Sequence, residues 1–91
     1  MIRINCFISV KEEKREIVLE AAERLTSASL KQEGCIAYDI FESATRRDVL
    51  MICETWADKN ALDAHSSSEV FHREVSIMSD NAQIKIESFE F

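Results

Sequence analysis

Residues 2–34, IRINCFISVKEEKREIVLEAAERLTSASLKQEG, contain the change of period on which the fold turns. In the first nine, Ile2, Ile4, Cys6, Ile8 and Val10 fall on one side and Arg3, Asn5, Phe7 and Ser9 on the other. That period of two is a half-buried strand. From Glu12 to about Gln32 the period becomes helical. Ile17, Ala21, Leu25 and Ala28 form the stripe, flanked by Val18 and Ala22, while Glu12, Glu13, Glu16, Glu20 and Glu23 take the wet side. Ser9 with Glu12 has the spacing of a capping box. Gly34, the only glycine, stands where a terminating residue must adopt positive φ.

Outward from this stretch, Cys35 to about Ser43 and Asp48 to Trp56 are rich in β-branched, aromatic and sulfur residues. They read as a hairpin with a charged, exposed tip, Ala44-Thr45-Arg46-Arg47. Asp58 is suited to cap a short helix carrying Ala61, Leu62 and His65 on one side. Ser66-Ser67-Ser68 interrupts it, and Ser66 or Ser68 recaps a second piece with the stripe Phe71, Val75, Met78. Asp80-Asn81 turns the chain into a last strand, 82–91, with Ile84 and Ile86 on one side and Phe89 and Phe91 on the other. The order is β-α-β-β-α-β, an α+β ferredoxin-like fold with a four-stranded antiparallel sheet. Helices on one face leave the other partly apolar, and pairing two sheets face to face would cover it. A homodimer is the expectation.

Ninety-one residues predict a single domain over 1–91. Eleven Lys and Arg against seventeen Asp and Glu give a net charge of −6, which argues against a nucleic-acid partner. The RNP pattern of RNA-binding sheets is missing too. Cys6, Cys35 and Cys53 are an odd number without a CxxC, so reduced packing thiols and a cytoplasmic location are expected. No run approaches the roughly 20 apolar residues of a membrane span, and the first ten residues lack a signal-peptide core.

Several residues carry potential chemistry. His65 falls on the apolar side of the short helix, where an imidazole is either a proton acceptor for a phenol or a helix-end residue bonded to carbonyls. Tyr38 and Trp56, the only Tyr and Trp, suit the wall of a pocket for a flat ligand or a core with polar tips. Simple alternation groups Tyr38 with Ile36 and Ile40, and Trp56 with Ile52 and Glu54. An inward Glu54 would have a raised pKa and serve proton transfer or orient His65, but an outward rim charge is the favoured placement. Asn5 is a donor for a substrate oxygen or a satisfied amide near the sheet edge. His72, beside Arg73 and Glu74, belongs to the solvated side of its helix. With no H-x-x-x-H, CxxC or acidic cluster, no metal site is expected.

Three segments stand in a fixed order and spacing: Glu33-Gly34-Cys35-Ile36-Ala37-Tyr38, Glu54-Thr55-Trp56, and Ala61-Leu62-Asp63-Ala64-His65. Together they resemble the antibiotic biosynthesis monooxygenase (ABM) superfamily, and within it the small quinol-monooxygenase-like proteins. The resemblance runs from Ile2 to about Phe89 and implies a dimeric α+β barrel with a pocket between sheet and helices in each subunit. Several members of that superfamily oxidise quinol-type aromatics with molecular oxygen, using neither flavin nor metal. Others degrade haem or isomerise small phosphorylated sugars. Where members often carry a Pro-His pair, this chain reads Ser68-Glu69-Val70-Phe71-His72. Asn5 matches the strand-one Asn of the haem-degrading branch, but His72 lies one position off the inward stripe, so haem is not expected.

The reading is therefore a cofactor-independent monooxygenase of a small quinol or polyphenol. His65 is its base, Tyr38 and Asn5 its hydrogen-bond donors, Trp56 its stacking wall, and Glu54 and Phe71 further substrate contacts. An isomerase of a small carbonyl compound is the alternative; its phosphate would need Arg3, Arg46 or Arg47. A dimeric ligand-binding protein without turnover is the third.

Overall fold

The computed structural model describes all 91 residues. The chain runs β1 (Ile2–Ser9), α1 (Glu12–Ser29), β2 (Cys35–Glu42), β3 (Val49–Trp56), α2 (Lys59–Ser66), α3 (Glu69–Asn81) and β4 (Gln83–Glu90). The four strands form one sheet in the order β2-β3-β1-β4, with every neighbouring pair antiparallel. This is the α+β ferredoxin-like order expected from the sequence, its second helix broken in two.

One face of the sheet carries the helices and the core. Cys6, Ile8, Leu50, Ile52 and Trp56 from the central strands pack with Val18, Ala21, Ala22 and Leu25 of α1 and Met78 of α3. Burying these side chains contributes roughly 1.5–3 kcal/mol for each large aliphatic one. The other face shows Phe7, Phe41 and Phe89, respectively 39%, 49% and 51% exposed. Phe7 and Phe41 both register with Met51, so the three share one row across β1, β3 and β2.

Four local expectations need correction. Ile17 is exposed, and α1 buries Val18, Ala21, Ala22, Leu25, Thr26 and Ser29 instead. The stripe is turned by one position because the helix also seats against α3. Ser9 and Glu12 form no capping box; the N-cap is Lys11, without a side-chain bond. The helix ends at Ser29, and the turn through Gly34 lies beyond it. Ile36 does not share a face with Tyr38: the register between β2 and β3 slips from Cys35 to Ala37. That bulge leaves Ile36 58% exposed while Tyr38 stays buried.

Gly34 has φ +81°, and a Cβ there would lie 2.4 Å from the Ala61 Cβ. The backbone conformation and this close approach both require glycine. The Gly34 carbonyl also accepts from the Ala57 N–H at 2.8 Å, fastening the turn before β2 to the start of α2.

Candidate active site

Capping residues position the site. The Asp58 carboxylate accepts the Ala61 N–H at 2.8 Å and starts α2, which places His65 near its end. The Ser68 hydroxyl donates to the His65 carbonyl at 2.6 Å and accepts the Phe71 N–H at 3.2 Å. One serine thus closes α2, opens α3 and holds His65 and Phe71 together. Their rings meet edge-on with centroids 5.1 Å apart.

A cavity of about 110 Å³ lies between the sheet and the helices. Tyr38, Glu54, His65 and Ser66 supply its polar side, and Phe71, Val75 and Met78 of α3 are among its apolar walls. No lysine or arginine lines it.

Alternation in β3 sends Leu50, Ile52, Glu54 and Trp56 inward, so Glu54 is buried, only 6% exposed, rather than a rim charge. The outward expectation is corrected by strand parity, and the buried carboxylate has a partner: the Trp56 indole N–H donates to Glu54 Oε1 at 2.8 Å. Burial raises the Glu54 pKa, opposed by that bond and by the neighbouring Tyr38 hydroxyl. Burial, then the Glu54 charge, pushes the Tyr38 phenol far above its ordinary range, so it remains a hydrogen-bond donor. Cys6 is pushed up to about 12 by the same causes and is an inert thiol at neutral pH.

His65 is 2% exposed. Its Nδ1 lies 2.7 Å from Gln32 Oε1. Its Nε2 is buried with no hydrogen-bond partner, 3.8 Å from Glu54 Oε1. Burial depresses the imidazole pKa from 6.5 to about 4, so the ring is neutral through the physiological range.

Of the residues singled out from sequence, Tyr38, Glu54, His65 and Phe71 converge on this cavity. Trp56 does not line it. It stands behind, fully buried, stacked on His65 with centroids 4.4 Å apart and planes 33° apart. Asn5 also lies elsewhere: its register partners are Cys53 and Glu87, on the face away from the helices. Strand parity puts it there with Arg3 and Phe7, so it is not a donor to this cavity. His72 is exposed, as its place on α3 predicts. The three arginines suited to phosphate are engaged elsewhere: Arg3 with Thr55, Arg46 with Asp48 and Arg47 with Glu12. Gln32 was missed, because a lone glutamine after a helix carries no chemical signature.

The model of the antibiotic biosynthesis monooxygenase family matches residues 1–75. The chain belongs to this family. A relative in Bacillus subtilis (strain 168), YcnE, named as a candidate monooxygenase, is 35% identical over 71 residues, which span 78% of this chain and 75% of YcnE. A Bacteroides thetaiotaomicron structure, described as a conserved protein of unknown function and possible oxidoreductase, is 54% identical with a TM-score of 0.97. The match covers 99% of this chain and 96% of that one. SnoaB of Streptomyces nogalater, a cofactor-independent oxygenase, shares the fold alone: 11% identity and a TM-score of 0.87, over 99% of this chain and 91% of SnoaB. The family fold, a sheet with helices on one face, is what brings Tyr38, Glu54 and His65 together here.

Proposed function

We propose that this ABM-family protein is a cofactor-independent monooxygenase of a small, uncharged quinol or phenolic substrate. The observation that carries the reading is the buried, neutral His65 whose Nε2 has no partner, beside an apolar cavity. Triplet oxygen reacts poorly with closed-shell molecules, and a site of this kind helps by making the substrate an electron-rich anion. Nε2 takes the hydroxyl proton. The imidazolium that forms is stabilised by Glu54, 3.8 Å away, and by the phenolate itself. Tyr38 donates to the substrate oxygen, and Phe71 bounds the ring. Trp56, proposed from sequence as a substrate wall, instead stacks on His65 and holds Glu54.

The electron balance closes without a reductant. The phenolate gives one electron to oxygen, the two radicals join through a ring C–O bond, and O–O cleavage releases water as the ring C–H proton leaves. Hydroquinone and O2 thereby become hydroxyquinone and water, the substrate supplying all four electrons.

A phosphorylated isomerase substrate has no support, because the arginines it needs are bound outside the cavity. The dimer belongs to this proposal too: Phe7, Phe41 and Phe89 supply an apolar face for a second copy. Three free thiols fit the reducing cytoplasm. The test is oxygen uptake with a panel of one-ring hydroquinones. Turnover that falls roughly 100-fold or more in His65→Ala supports the proposal. Absence of uptake with every hydroquinone, or equal turnover in the variant, overturns it; ligand retained unchanged under oxygen would then favour a binding protein.

A further inference from the structure

Gln32 occupies the turn between α1 and β2, held at both backbone groups. Its N–H donates to the Ser29 carbonyl at 3.0 Å, and its own carbonyl accepts the Cys35 N–H at 3.2 Å. The same turn is clamped to α2 by the Gly34–Ala61 approach and the Ala57–Gly34 hydrogen bond. The Gln32 side chain therefore meets His65 from a fixed backbone, 33 residues away in sequence. Its Oε1, 2.7 Å from Nδ1, is a carbonyl oxygen and can only accept. Nδ1 then carries the ring proton, and Nε2 is left with its lone pair on the side of Glu54, with which His65 lines the cavity.

We infer that Gln32 is a positioning residue: it holds His65 as the Nδ1–H tautomer and so leaves Nε2 as the proton-accepting nitrogen. The inference rests on the reading of His65 as the base, yet the tautomer can be measured without any substrate. An uncharged partner matters here. A carboxylate in the same place would favour the imidazolium and consume the lone pair the cavity uses. The other groups facing the ring are Glu54 from β3, Tyr38 and Trp56 from β2 and β3, and Phe71 from α3. Cys6 of β1 shares the cavity. Glu54 is thus the ionisable neighbour that competes with Gln32 for the ring proton.

The experiment is long-range proton–nitrogen NMR on the 15N-labelled protein in a His72→Gln background, which leaves His65 as the one imidazole. At neutral pH the expected pattern has Nδ1 protonated and Nε2 unprotonated. Gln32→Leu should shift the signals toward the Nε2–H form that an unconstrained histidine prefers. Gln32→Glu should keep Nδ1–H and raise the imidazole pKa by roughly one to two pH units. A parent protein with Nε2–H, directed at Glu54, overturns the inference; so does an unchanged pattern in Gln32→Leu. Should Gln32→Leu not fold, the Gln32→Glu titration decides, and an unmoved pKa there is equally fatal. The two proposals separate cleanly. The expected tautomer with no oxygen uptake supports the role of Gln32 and overturns the oxygenase reading, whereas the reversed tautomer overturns the role of Gln32 whatever the activity.

Discussion

Acidification should destabilise this protein through His65, and the size of the effect follows from its burial. The imidazole titrates near 6.5 when the chain is unfolded and near 4 when folded. Between those values the unfolded state binds more protons, so stability is fully present above pH 6.5 and is lost as pH falls toward 4. One group with these constants removes about 2 kcal/mol by pH 5 and about 3 kcal/mol by pH 4, relative to pH 7. Glu54 has the opposite sign: its raised pKa contributes stability below its ordinary 4.5, lost as pH rises through the folded value. The clean comparison therefore keeps Glu54 and replaces the imidazole with the neutral His65→Gln. Urea melts of both proteins at several pH values between 7 and 4 give the difference in unfolding free energy. That difference should fall by about 3 kcal/mol across the range. A change below about 0.5 kcal/mol would mean that His65 is not held neutral by burial, and the base assignment would fall with it.

Gly34→Ala should destabilise strongly, and Ala61→Gly in the same protein should recover the contact part, leaving about 1 kcal/mol of backbone cost; full recovery in a double-mutant cycle would refute the positive-φ argument. Glu74 of α3 is 1% exposed and bound by Arg24 of α1 and by Arg73, which hold its carboxyl below the usual range. Glu74→Gln should lower Tm at neutral pH. The gap from the unmutated protein should narrow as pH falls below 4.5, because the ion pair contributes only while Glu74 is ionised; a gap independent of pH would contradict this. Phe7→Lys with Phe41→Asp should give a monomer by sedimentation equilibrium where the unmutated chain gives a dimer. A monomeric parent protein would remove the dimer from the proposal.

Element order was legible because each segment declares its own period: two over Ile2–Val10, helical from Glu12 to about Gln32 (three residues past the observed end at Ser29), and two again on both sides of the Ala44–Arg47 tip. Gly34 and Asp58 were legible because positive φ and an exposed helix start each demand a small set of residue types. His65 and Phe71 were legible because helical spacing sets both on inward stripes. Ile17 misled, since a helical stripe read from sequence can be rotated by one residue until its partners are known. Ile36 misled because a bulge is a property of two strands in register, and β2 alone does not announce it. Asn5 was assigned chemistry its own alternation refuses: an odd position on β1 faces away from the helices.

Along the chain, then, the sequence determined the order of strands and helices and the caps at Asp58 and Ser68, because these depend on neighbours a few residues away. The tertiary structure decided the chemistry. Glu54 stands 3.8 Å from His65 of a later helix, and His65 presents Nε2 because Gln32 from a distant turn occupies Nδ1. Protonation states depend on which polar groups share a water-poor space, and that sharing exists only once residues far apart in sequence have packed together.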